Sequence, residues 1–201
     1  MKNFEKPFFT LIFGMVFPFI FCLILMIIWF YLDKSEDRVL FYSISGLLIG
    51  VLLDIKYLKG WVKHRYDLPI WSVAGFYVVY NIIVYGLFMG FPVFNIFLGF
   101  IAGYYFGKRS CYNKQILRES AKLIKKVSLF TGFIMLLICI SSAILALLGD
   151  GAGGDIQSML GLHFVVTRPM IWGIIFVGGI SLILIQIQIT RWTIIKTIKH
   201  F

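Results

Sequence analysis

With 201 residues, 60% of them apolar and only 14% charged, and a mean hydropathy of +0.93, the chain is far too apolar for an ordinary soluble domain. It reads as one membrane domain over 1–201 with little room for anything else. Its net charge of +10 does not point to nucleic acid, because the basic residues flank apolar runs instead of forming the continuous face that phosphate backbones require, and anionic lipid headgroups are the expected partner.

A bilayer core of about 30 Å takes roughly 20 apolar residues as helix, and six segments meet or nearly meet that length. The first, 8–32, contains Gly14 and Pro18, which predict a kink because proline removes a backbone donor and crowds the preceding turn. It follows Lys2 and Lys6 but is too long for a signal-peptide core and has no small-x-small cleavage site, so a retained span is expected. The second runs over 39–57. The third, 69–89, is joined to the fourth, 92–107, by Gly90-Phe91-Pro92, too short for anything but an antiparallel hairpin. The fifth covers 127–148 and the sixth 170–190. Trp29, Trp61, Trp71, Trp172 and Trp192 fall at the ends of these spans, where amphipathic rings prefer the interface.

Sixteen of the nineteen Lys and Arg residues form four clusters at alternate gaps between the spans, around Lys2, Lys56, Lys108 and Arg191. Cytoplasmic loops retain such residues, so both termini are expected in the cytoplasm and the location is expected to be a plasma membrane of prokaryotic type. Between the fourth and fifth spans, residues 110–126 alternate apolar and basic positions at helical spacing, predicting a cytoplasmic amphipathic helix on the headgroups. The outer segment 149–168 opens with a glycine-rich run and continues with about ten apolar residues, too few to span, which predicts a re-entrant or interfacial half-helix.

Ser45–Lys56 aligns without gaps on Leu98–Arg109, matching two glycines and a terminal basic residue, as a parallel duplication of two hairpins would. Gly46 and Gly50, and likewise Gly99, Gly103 and Gly107, make stripes of small residues of the kind that let membrane helices approach closely. Asp54 is the only acid well inside a span. It is expected either to pair with Lys108 or Arg109, with Lys56 nearby, as a gate or lipid-phosphate site, or to act as an interfacial acid that only helps orientation. On the third span Tyr77, Asn81 and Tyr85 share a helical face and are candidate solute-lining groups, with His163 on the outer loop. The same groups also suit interhelical hydrogen bonding. Asp150 and Asp155 are weak candidate metal ligands beside His163, at a spacing that fits no established zinc or calcium loop. Cys22, Cys111 and Cys139 lack CxxC spacing and imply no disulfide. No hydrolase or nucleotide-binding motif occurs, and no cofactor is implied.

The Gly46, Gly50, Asp54 run and the segment from Leu98 to Gly103 after Pro92 resemble, in general plan, parts of the small substrate-capture subunits of energy-coupling-factor vitamin transporters. That resemblance implies a six-span solute-binding subunit. The alanine-rich contact surface of that group is missing from 8–32. The leading expectation is therefore a small multi-pass transport protein or substrate-binding transport subunit. A non-catalytic accessory subunit bound to another membrane protein or to a second copy of the chain, or an enzyme on lipid-linked phosphate, are the alternatives.

Overall fold

A computed structural model describes residues 2–33, 35–88, 90–113, 117–148, 157 and 167–200, and all regular structure among them is helical. Helix α1 (Lys2–Gly14) is separated by Met15 from α2 (Val16–Ile28), which ends in a π turn, Trp29–Asp33. Then follow α3 (Val39–Lys63), α4 (Ile70–Leu87), α5 (Ile96–Tyr112) and α6 (Leu117–Leu148). The short α7 (Arg168–Gly173) passes through a π turn, Ile174–Gly178, into α8 (Gly179–His200).

Five helical stretches are long and apolar enough to cross a membrane: Glu5–Asp33, Val39–Lys63, Ile70–Leu87, Ser120–Leu148 and Arg168–His200. The distribution of side chains agrees with a lipid solvent. On α3, Leu40, Ile44, Leu48, Leu52 and Ile55 are exposed, while Asn81, Asn95, Thr131, Gln186 and Thr190 are buried elsewhere in the chain. Polar groups have no hydrogen-bond partners in hydrocarbon and must find them inside the protein.

In three places the helices differ in extent from the expected segments. The fourth apolar segment is not among the five: Pro92–Asn95 forms a 3₁₀ turn, and α5 behind it has 17 residues. Proline at the start lacks the backbone donor and suits the first turn of a helix. The helix expected over 110–126 is not a separate element. Residues 110–112 close α5, 114–116 lie outside the described residues, and Leu117 onward belongs to α6, which is unbroken for 32 residues because it contains no proline. Finally, α3 and α8 continue past the apolar runs to Lys63 and His200, since hydropathy registers bilayer thickness while a helix continues wherever its backbone is satisfied.

Contacts group the chain into two compact units, Met1–Tyr80 and Asn81–Phe201. In the first, α3 rests on α2 through its glycines. A Cβ on Gly46 would lie 2.7 Å from Cys22 Cα, and one on Gly50 would meet Pro18 and lie 2.6 Å from Phe17 C, so the two backbones touch where only glycine fits. Around them Phe13, Phe17, Tyr57 and Phe76 gather on the ring of Trp61, which is thus a packing residue of this unit. At the basic end Arg65 bridges to Glu5 at 3.3 Å, and Tyr66 donates to the same carboxylate oxygen at 3.4 Å, tying the start of α1 to the segment after α3. Burial draws the Arg65 pKa down, but the hydrogen bonds and charges of Tyr66 and Glu5 outweigh it and hold the guanidinium above its ordinary value. At the other end, Ser35 accepts from the Trp29 indole through its carbonyl at 2.8 Å and donates to Asp33, which also pairs with Arg38 at 3.3 Å.

In the second unit α8 is clasped by α5 and α6. Cβ atoms on Gly99, Gly103 and Gly107 would lie 2.9 Å from Gln186 Nε2, 2.7 Å from Thr193 Cβ and 2.7 Å from Thr197 Cβ, so the α5 stripe seats the polar face of α8. From the other side, Gly132 of α6 would collide with Ile187, and the Thr131 and Thr190 hydroxyls meet at 3.1 Å. The two glycine stripes therefore have unlike partners. That of α3 faces the helix before it, and that of α5 faces the last helix, whereas a simple duplicated hairpin would pair α5 with α4.

Candidate functional site

Pro18 decides the local structure from which the first unit's site is built. Its nitrogen offers no hydrogen to the carbonyl of Gly14, and its ring crowds that carbonyl, so the helix opens at Met15 and restarts with Phe19 N–H on Met15 O at 3.2 Å. The Gly14 carbonyl is thereby left without the donor that an unbroken helix would supply. Two residues earlier, the Tyr80 hydroxyl donates to Ile12 O.

Asp54 faces this break. It continues the Gly46–Gly50 face of α3 at helical spacing. The Gly50 contact with Pro18 on one side and the approach of Leu58 to the Gly14 position on the other bracket it against residues 14–18. Asp54 is 6% exposed, its Oδ1 has no hydrogen-bond partner, and Tyr80 is within electrostatic reach. An acid that merely oriented a span would extend toward the headgroups. This one is turned inward, between helices.

The other expected residues are distributed as follows. Lys56 is exposed, with its ammonium 5.5 Å from the Tyr57 ring centroid, and turns away from Asp54. Lys108 is buried with its ammonium over Tyr104, and Arg109 has a buried Nη1 without a hydrogen bond. Both belong to the second unit and Asp54 to the first. Tyr77, Asn81 and Tyr85 do share a face of α4. Tyr77 is buried in the first unit, and Asn81 is engaged in the second, where Asn95 Nδ2 donates to its backbone carbonyl at 2.9 Å and its Oδ1 at 3.0 Å. Asn81 is thus a structural acceptor. Asn95→Ala is expected to cost about 1–3 kcal/mol by stranding these acceptors in a buried site, read as a lower melting temperature in mild detergent. No change would show that water replaces the amide.

His163, Asp150 and Asp155 lie outside the described residues, and among the described residues no group of three His, Cys, Asp or Glu side chains is placed to hold a metal. The sequence reading missed Asn95, Thr131 and Thr190, and it assigned no role to Tyr80. Only the Gly14-x-x-x-Pro18 spacing signalled the break that Tyr80 and Asp54 address. Comparison with known protein families, with characterised proteins and with solved structures gives no match.

Proposed function

We propose that the chain is a small membrane transport protein, with Asp54 at the α1–α2 break as its coupling group for a proton or a monovalent cation. The observation that carries this is a buried carboxylate oxygen without a partner, set against a discontinuous helix inside an apolar span. An ionisable residue there is expensive and is held for function or for a partner. Discontinuous helices supply backbone carbonyls for coupling ions in many transporters. Oxygen-only donors from Asp54, Tyr80 and the Gly14 carbonyl that Pro18 deprives of its helical donor suit a hard cation or a proton.

The topology proposed with it has six spans and both termini in the cytoplasm. Support comes from the continuous helical run of 92–112, whose 3₁₀ turn and α5 together reach about 33 Å, enough for the hydrocarbon core. The alternation of basic clusters supplies the orientation.

Native mass spectrometry of the gently solubilised protein tests the reading. A small solute retained by the wild type and released by Asp54→Asn is the expected result. A stoichiometric second polypeptide with no small solute would overturn it in favour of an accessory subunit.

A further inference from the structure

A second feature lies in the other unit, on the opposite side of α8 from the glycine stripe. Helices α6 and α8 touch closely at Gly132 and Ile187, and beside that contact, toward the basic end of α8, lies an open groove of about 360 Å³, within the range of small-molecule sites. Two cations line it, Lys125 from α6 and Arg191 from α8, and both are exposed. Lys125 and Ser128 are three residues apart and share a face of α6. Ser128 is 3% exposed, yet its Oγ has no hydrogen-bond partner. The apolar walls are Leu129 and Ile187 toward the membrane centre and Ile195 toward the basic end.

We propose that this groove binds one glycerophospholipid with an anionic headgroup. The phosphate sits between Lys125 and Arg191, the Ser128 hydroxyl donates to a phosphate or glycerol oxygen, and an acyl chain lies along Leu129 and Ile187. Charge complementarity selects the occupant, since the lining holds two cations and no acid. The apolar walls favour a lipid over a free anion, because a bare phosphate would leave them unused. Trp192, beside Arg191 and under the Lys196 ammonium at 4.6 Å, has the amphipathic character of a ring at headgroup depth. The site uses none of the residues assigned to coupling and stands apart from that reading.

The test is titration of the delipidated full-length protein with phosphatidylglycerol and with phosphatidylcholine of the same chains, followed by native mass spectrometry. Each cation near a headgroup contributes about fivefold in affinity, so Lys125→Ala with Arg191→Ala should weaken phosphatidylglycerol roughly 25-fold. The control pair Lys122→Ala with Lys199→Ala, exposed basic residues outside the groove, should leave it within about twofold. Ser128→Ala should weaken binding without altering the melting temperature. If the alanine pair proves unstable, Lys125→Gln with Arg191→Gln keeps the stems and serves in its place. Equal binding of the two lipids, or equal losses in the groove and control pairs, would overturn the site. Displacement of the lipid by inorganic phosphate at comparable concentration would overturn the lipid as occupant, leaving only an anion site.

Discussion

Gly50→Leu should abolish folding of the first unit, and Gly50→Ala should already destabilise it by about 3 kcal/mol, the upper end of typical overpacking costs. A Cβ at this position meets the backbone of Pro18 and Phe17, atoms that no rotamer change can move aside. Gly103→Leu should do the same to the second unit, where a Cβ would lie 2.7 Å from Thr193 Cβ and 2.9 Å from the Thr190 carbonyl oxygen, atoms that no rotamer change moves aside. Gly60→Ala is the control. Nothing lies within 4 Å of its Cβ position, and removing a helix-interior glycine favours the helix by up to about 1 kcal/mol. Thermal melts of the four variants in one detergent check the order. A Gly50→Ala protein as stable as Gly60→Ala would show that α2 and α3 are not in backbone contact.

Asp54→Asn should remove ion-dependent transport while leaving the melting temperature unchanged or higher. The amide is nearly the same shape, and it spares the cost of holding an unpaired charge away from water. If Asp54 were one half of a structural ion pair, the same change would strand a buried partner and lower stability by about 3–5 kcal/mol. The two roles therefore move the melting temperature in opposite directions. The readout that a structural role would not move is the dependence of solute uptake on a sodium or proton gradient in proteoliposomes. Loss of that dependence with a retained melting temperature is the expected result. Full gradient dependence in Asp54→Asn would remove Asp54 from the mechanism. Tyr80→Phe, which deletes the hydroxyl bonded to Ile12 O, should shift the ion dependence without abolishing it.

What the sequence by itself determined is what depends on neighbours along the chain. The apolar runs mark the spans because bilayer thickness sets their length, Pro18 opens the helix at Met15 because it lacks a donor, and Gly90 turns the chain at φ +81° after α4. Even the glycine stripes were legible as contact faces, since their spacing is a property of one helix. The partner of each stripe was decided by the tertiary structure: α2 beneath Gly46 and Gly50, but α8 beneath Gly99, Gly103 and Gly107. The same holds for Asp54, which from spacing alone was as consistent with an interfacial acid as with a buried one, and for Asn95 and Thr190, whose partners stand 14 and 59 residues away. In lipid every stretch of helix is apolar enough to face outward. Which face turns inward is then set by close packing and by where buried polar groups find each other, and those are properties of helix pairs.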